Sequence, residues 1–254
     1  MQELAPAAPT NPEIGSVFSQ AMSLYQAHVG TLLLLCAGGV AFDALLTYVG
    51  NLVTFGYGEP IFAVLSVVMQ EVLYFGPAVL LWNEVQKRRA GETVATGGDA
   101  LVSTSTMATV FSGFNSKRAW GVAFQVTMLY MSAFTLLVCI GTLLGGIVLY
   151  FIPAGFTVFM KVLRTVVGPI IGVGYLATAL AVARPTRSVT DATSGGFRVM
   201  FRFPVLAGLV LGLGGFLEQL AGLTIVVGIL LDGFLLCYSA ALVRQLIDAR
   251  QLQV

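Results

Sequence analysis

The chain has 254 residues, of which 57% are hydrophobic and only 10% charged, and its net charge is +1. A soluble domain carries about a quarter of its residues as charges, so this composition excludes an ordinary water-exposed surface and points to the bilayer as solvent. The near-zero charge also gives no bulk attraction to nucleic acid, leaving the placement of the thirteen Lys and Arg as the informative quantity.

Residues 1–13 are rich in Pro and Ala and read as a disordered tail without the basic start and cleavage motif of a secretory signal, so the first apolar segment is expected to stay as an anchor. Asn11, Pro12 and Glu13 form a helix start, with an Asn cap, Pro at the first helical position and an acid in the first turn. Residues 14–27 place Ile14, Val17, Phe18, Ala21 and Tyr25 on one face and Ser16, Ser19, Gln20, Ser23 and Gln26 on the other. That spacing predicts an amphipathic helix in the membrane interface.

The first hairpin, about 29–82, joins an apolar run from Val29 to Val49 with one from Pro60 to Trp82 through the turn Asn51–Glu59. Each run is close to the ~20 residues that a helix needs to cross a bilayer. Lys87, Arg88 and Arg89 follow. Thr96 and Asp99 have capping-box spacing and open a second amphipathic segment, about 99–114. The second hairpin, about 120–182, is interrupted at Ile152-Pro153-Ala154-Gly155 and ends at Arg184 and Arg187. Its first helix, 120–151, exceeds one span, so it is tilted, kinked at Gly141–Gly146 or extended beyond the bilayer; splitting it would give seven crossings rather than six. Ser188 and Asp191 form another capping box, followed by the amphipathic segment 188–202, and the last hairpin covers about 204–243.

The expected fold is therefore all-α: a polytopic transmembrane bundle of about six helices forming one domain over 14–254, with three interfacial amphipathic helices. The succession of amphipathic segment, hairpin and basic residues occurs three times, which fits an internal repeat and equally fits any six-helix protein divided by polar connectors. Lys87, Arg88, Arg89, Lys117, Arg118, Arg184, Arg187, Arg198, Arg202, Arg244 and Arg250 flank the same ends of the hairpins, whereas the turn 50–59 has no Lys or Arg. The positive-inside rule then places those ends and both termini in the cytoplasm, in a bacterial inner membrane.

Charges inside a bilayer cost roughly 2.5–3.5 kcal/mol each on insertion scales, so each needs a reason. Asp43, Glu71, Lys161, Arg164, Glu218 and Asp232 all fall inside apolar runs and form the candidate intramembrane polar site. Glu71 is the deepest, with Gln70 and the helix-breaking Pro77 beside it. One reading makes Glu71 and Asp232 carriers of a proton or cation, with Lys161 and Arg164 as counter-charges. The other makes the set interhelical salt bridges or residues snorkelling to water. Gly141-x3-Gly145, Gly168-x3-Gly172 and Gly208-x3-Gly212 let helices approach closely, within the bundle or between copies.

No catalytic, cofactor or metal constellation is present. His28 is the only histidine and sits at the interfacial start of the first span, and Cys36, Cys139 and Cys237 lie in apolar runs without metal-like spacing, as buried structural cysteines do. The order of amphipathic segment, hairpin, Ile152-Pro153-Ala154-Gly155 break, short helix 188–202 and last hairpin resembles the prokaryotic six-helix membrane domain found with glycerophosphodiester phosphodiesterases. In that family the phosphodiester chemistry belongs to a separate soluble domain, for which this chain has no room, so the resemblance implies a membrane domain without that activity. The function expected from the sequence is a non-enzymatic accessory or scaffolding subunit. It would organise protein partners or a second copy of itself, and bind anionic lipid head groups through its cytoplasmic basic residues. The alternative is a transporter or channel for a proton, cation or small solute using the intramembrane acids.

Overall fold

A computed structural model describes residues 12–54, 59–89, 108, 111–151, 170–214 and 225–252. Among these every regular element is helical: α1 Ile14–Thr54, α2 Glu59–Arg89, a 3-10 turn Ser112–Asn115, α3 Lys117–Phe151, α4 Ile170–Ala183, α5 Val189–Arg202, α6 Pro204–Gly214 and α7 Ile225–Asp248. Among the described residues two helices are long and apolar enough to cross a membrane, α1 over Ile14–Gly50 and α7 over Leu230–Asp248, or three if the bent pair α5–α6 counts as one span.

Residues 14–27 and the apolar run after them form one helix kinked at His28, whose φ of −122° and ψ of 15° leave the helical region. The division expected at the start of the first span is thus a bend rather than a break. The helix begins at Ile14, with the Glu13 carbonyl accepting the first bond from Val17, so Pro12 precedes it and Asn11 lies outside the described residues. The other end runs on to Thr54, past the expected turn at Asn51. The amphipathic half finds its apolar partner inside the bundle. Val17, Ala21 and Leu24 are buried, and Ile14 and Phe18 are exposed. Ser16 and Ser23, expected on the solvated side, bond Gln245 of α7 and Arg88 of α2.

These contacts set the topology. Ser23–Arg88, together with Gly39 beside Gln70, makes α1 antiparallel to α2. Ser16–Gln245, with Tyr25 against Phe234, makes α1 antiparallel to α7. Tyr74–Asp232 and Gln86–Arg244 then run α2 parallel to α7. Small residues bring the backbones together, as expected where lipid offers no hydrophobic drive for helix association. Gly233 of α7 faces Tyr25 and Leu32 of α1, and Gly172 of α4 lies against the Leu211 carbonyl of α6.

The first part of the long middle region is one continuous helix, Lys117–Phe151, about 52 Å long at 1.5 Å per residue. It is not divided into two spans. Cys139 lies on its exposed side, unlike Cys237, which is buried in α7 as expected. The Ile152–Gly155 break and nearly all of the segment 99–114 fall outside the described residues.

The capping box at Ser188 forms as its spacing predicts: the Ser188 hydroxyl accepts from the Asp191 amide at 3.0 Å, and the Asp191 carboxylate accepts from the Ser188 hydroxyl and amide. Those two bonds, hydroxyl first, hold the Asp191 carboxyl below its ordinary value. Helix α5 buries Ala192, Thr193, Gly196, Val199 and Met200, whereas Phe201 is 78% exposed and stacks on Phe197. At Phe203 the chain bends by 104° into α6, whose first turn is π-helical after Pro204.

One test of this packing uses two glycines. A Cβ on Gly172 would stand 2.7 Å from the Leu211 carbonyl oxygen, a backbone atom that cannot swing away, whereas a Cβ on Gly38 meets nothing within 4 Å. Gly172→Ala is expected to destabilise the purified protein by about 1–3 kcal/mol, the usual cost of overpacking. Gly38→Ala should leave its thermal unfolding unchanged or slightly raised. Equal midpoints for the two variants would contradict the α4–α6 contact.

Candidate functional site: an acid pair between three helices

The apolar sequence of α7 places Asp232 in its first turns, in a helix whose neighbours leave it no water. Asp232 is 7% exposed, and hydrogen bonds take the place of solvent. The Tyr74 hydroxyl of α2 donates to one carboxylate oxygen at 2.8 Å, and the Tyr175 hydroxyl of α4 donates to the other at 2.6 Å. The two rings lie 5.8 Å apart, tilted by 31°, so both phenols converge on one acid from one side.

Glu71 precedes Tyr74 by three residues, which puts both on the same face of α2. It is 8% exposed. Its carboxylate reaches across to α4 and rests on Gly174, where any larger residue would collide: a Cβ there would lie 2.8 Å from Oε1. The other oxygen, Oε2, is buried and makes no hydrogen bond among the described residues. Glu71 also lines a cavity of about 90 Å³ with Gln70, Tyr74, Val126, Tyr130 and Ile170, which is room for a few waters or a small ion. Glu71 thus shares α2 with Tyr74 and touches α4 one residue from Tyr175, the two donors that hold Asp232.

The site lies well inside the bundle. Asp232 is twelve residues from Arg244 and Glu71 seventeen from Arg88, about 18 and 25 Å along their helices. Those arginines belong to the opposite, basic end, where Arg88 pairs with Glu84 at 3.0 Å and Arg244 with Asp248 at 2.8 Å. At the same end the Arg118 guanidinium of α3 donates to four carbonyls, those of Ala181, Arg184, Pro185 and Arg187, closing the end of α4 onto α3. The grouping of the basic residues at one end, read from their positions along the chain, is thus a feature of the fold.

Of the six acids and bases expected in the membrane, the structure brings Glu71 and Asp232 together. Asp43 belongs to α1, and Lys161, Arg164 and Glu218 lie outside the described residues. The sequence reading missed Tyr74, Tyr175 and Gly174. Tyr74 carries a usable signal, its i+3 relation to Glu71. Tyr175 carries none, because only tertiary packing brings α4 to α7. Among the described residues no group of three or more His, Cys, Asp or Glu could hold a metal ion.

Comparison with known proteins returns no match among protein families, curated proteins or solved structures, and none bears on the resemblance to the glycerophosphodiester phosphodiesterase membrane domain.

The hydrogen bonds to Asp232 can be weighed directly. Tyr175→Phe removes one donor to a buried charged group and should destabilise the protein by about 1.5–3 kcal/mol. In an Asp232→Asn background the same change should cost clearly less, because the charge that strengthens the bond is gone. Equal losses in both backgrounds, read from thermal unfolding, would show that the Tyr175 hydroxyl does not depend on Asp232.

Proposed function

We propose that this chain is a multi-pass membrane protein that carries a proton or a small cation, with Glu71 as the exchanging group and Asp232 as its fixed partner. The observation that carries the reading is the Glu71 carboxylate, buried beside Asp232 with one oxygen unpartnered and bordering a small cavity. A buried carboxylate retained only for packing would be expected to have both oxygens occupied, as Asp232 has. Two carboxylates in one apolar site repel, and a proton or cation placed between them relieves that repulsion. A group that can gain and lose such a charge at mid-bundle is what a carrier or channel requires.

In this reading the helices form six crossings of the bacterial cytoplasmic membrane, with the basic end inside. Helix α5 lies along the cytoplasmic surface and the bend at Phe203 turns the chain into the bilayer. The Gln70–Tyr130 cavity is the entry to Glu71 from the opposite side. Asp232, held at both oxygens, keeps its charge in place while Glu71 exchanges.

A second reading, an accessory subunit that organises protein partners or anionic lipid, is favoured by the outer surface. Leu45, Tyr48 and Leu52 of α1 are all more than half exposed and form a face for lipid or for another helix bundle.

Reconstitution into liposomes separates the two. With a pH or cation gradient across the membrane, wild type should dissipate it, and Glu71→Gln, nearly isosteric, should abolish the flux while the protein still inserts and elutes as wild type. Flux absent from the wild-type protein, or unchanged in Glu71→Gln, contradicts the carrier reading and leaves the accessory role.

A further inference from the structure

A second site stands at the basic end and is independent of the acid pair. The corner after α4, the outer face of α5 and the turn after α7 flank an open cavity of about 550 Å³. Five arginines line it: Arg184 and Arg187 from the corner, Arg198 and Arg202 one turn apart on α5, and Arg250 from the turn. Among the described residues its one acid is Asp191, whose carboxylate accepts from the Ser188 hydroxyl and amide.

Five guanidinium groups around one cavity repel one another, and among the described lining residues one carboxylate, Asp191, offsets only part of their charge. Among the described residues none of the five is ion-paired; the two ion pairs there belong to Arg88 and Arg244. Arg184 is the most constrained. Its Nε and one Nη are buried without a hydrogen-bond partner among the described residues. Burial, with the charge of Arg187 added, lowers that guanidinium from its ordinary value. The excess of positive charge around the cavity attracts an anion, most of all at the half-buried Arg184.

The cavity walls are also fixed in advance. Arg118 ties down the carbonyls of Arg184, Pro185 and Arg187, so the corner that presents two of the arginines cannot swing open. Arg250 has a φ of 54°, a left-handed backbone that costs a residue with a Cβ. The turn that holds it is closed by bonds from the Gln251 and Leu252 amides to the Leu246 carbonyl. The lining is not wholly polar: Leu180, Val199, Phe203 and Leu252 stand beside the arginines.

We propose that this cavity is a binding site for a phosphate ester, its phosphate held by the fork of Arg198 and by the accessible guanidinium nitrogen of Arg184, and its carbon skeleton against Val199 and Leu252. Planar guanidinium groups match phosphate oxygens two bonds at a time, which a lysine-lined site could not do. The volume falls within the ~300–1,000 Å³ typical of small-molecule sites and exceeds what a bare phosphate ion fills. The ester can come from the membrane, as a phospholipid head group of net negative charge, or from solution, and the two sources share this chemistry.

The test uses the full-length protein in two kinds of nanodisc, one of phosphatidylcholine alone and one of phosphatidylcholine with phosphatidylglycerol. Native mass spectrometry reads retained phosphatidylglycerol, and calorimetry on the phosphatidylcholine sample reads binding of glycerol 3-phosphate. Wild type is expected to bind at least one probe, and Arg198→Gln and Arg184→Gln to weaken it by about tenfold or more, the loss of a charge-assisted contact. Arg198→Lys should restore it only in part. Retention of phosphatidylglycerol assigns the site to a lipid head group, and binding of glycerol 3-phosphate without it assigns the site to a soluble ester. Arg198 is exposed on α5, so Arg198→Gln decides the outcome even if Arg184→Gln fails to fold. Binding of neither probe, or equal binding by wild type and Arg198→Gln, overturns the proposal.

Discussion

A carboxylate taken out of water has to be met by hydrogen-bond donors, and Asp232 is met by two phenols that belong to two other helices. That single requirement fixes the centre of the bundle. Tyr74 brings α2 alongside α7, and Tyr175 brings α4 to the same level. Once those three helices meet, the rest of the described structure follows from close approach. Gly174 admits the Glu71 side chain, Gly172 admits the backbone of α6, and Gly233 admits Tyr25 of α1. Leaving such a carboxylate without donors would cost several kcal/mol, so the network acts as a register key for the helices as well as a local set of bonds.

The same geometry makes Glu71 different from its neighbour. Both acids are almost wholly buried, and they lie on helices that run in the same direction. Asp232 has its donors; Glu71 has a cavity at its side and an oxygen without a partner. Nothing in that pair needs the basic end of the bundle, where a distinct set of arginines, beginning about 15 Å away along α4, lines a larger cavity. If Glu71 exchanges a charge and the arginines hold an anion, as proposed, the two sites are chemically separate.

Much of the architecture was legible in the chain. Apolar runs of bilayer length marked α1, α2 and α7, the Ser188–Asp191 spacing marked the start of α5, and clustered arginines marked the ends that gather on one side. The change of character at residue 28 was legible too, although as a bend and not as a gap. What could not be read was the destination of the amphipathic face of 14–27. Its period fits a lipid surface and a helical neighbour equally well, and the choice of α7 is a tertiary one. The same holds for the acids. Sequence depth alone put Glu71 and Asp232 in the membrane, and only the parallel run of α2 and α7 makes them neighbours. Tyr175 had no local signature, because its partner lies 57 residues away.

The central claim is that Glu71 is an accessible, exchanging carboxyl inside an apolar core, whereas Asp232 is held. A hydrophobic carbodiimide, which attacks carboxyl groups in apolar surroundings after they take up a proton, tests this on the protein in its native membrane. Peptide mass spectrometry should find the adduct on Glu71 and not on Asp232, with labelling lost in Glu71→Gln and slowed by whichever cation the site accepts. Labelling of Asp232 in preference to Glu71, or of neither, would contradict the account.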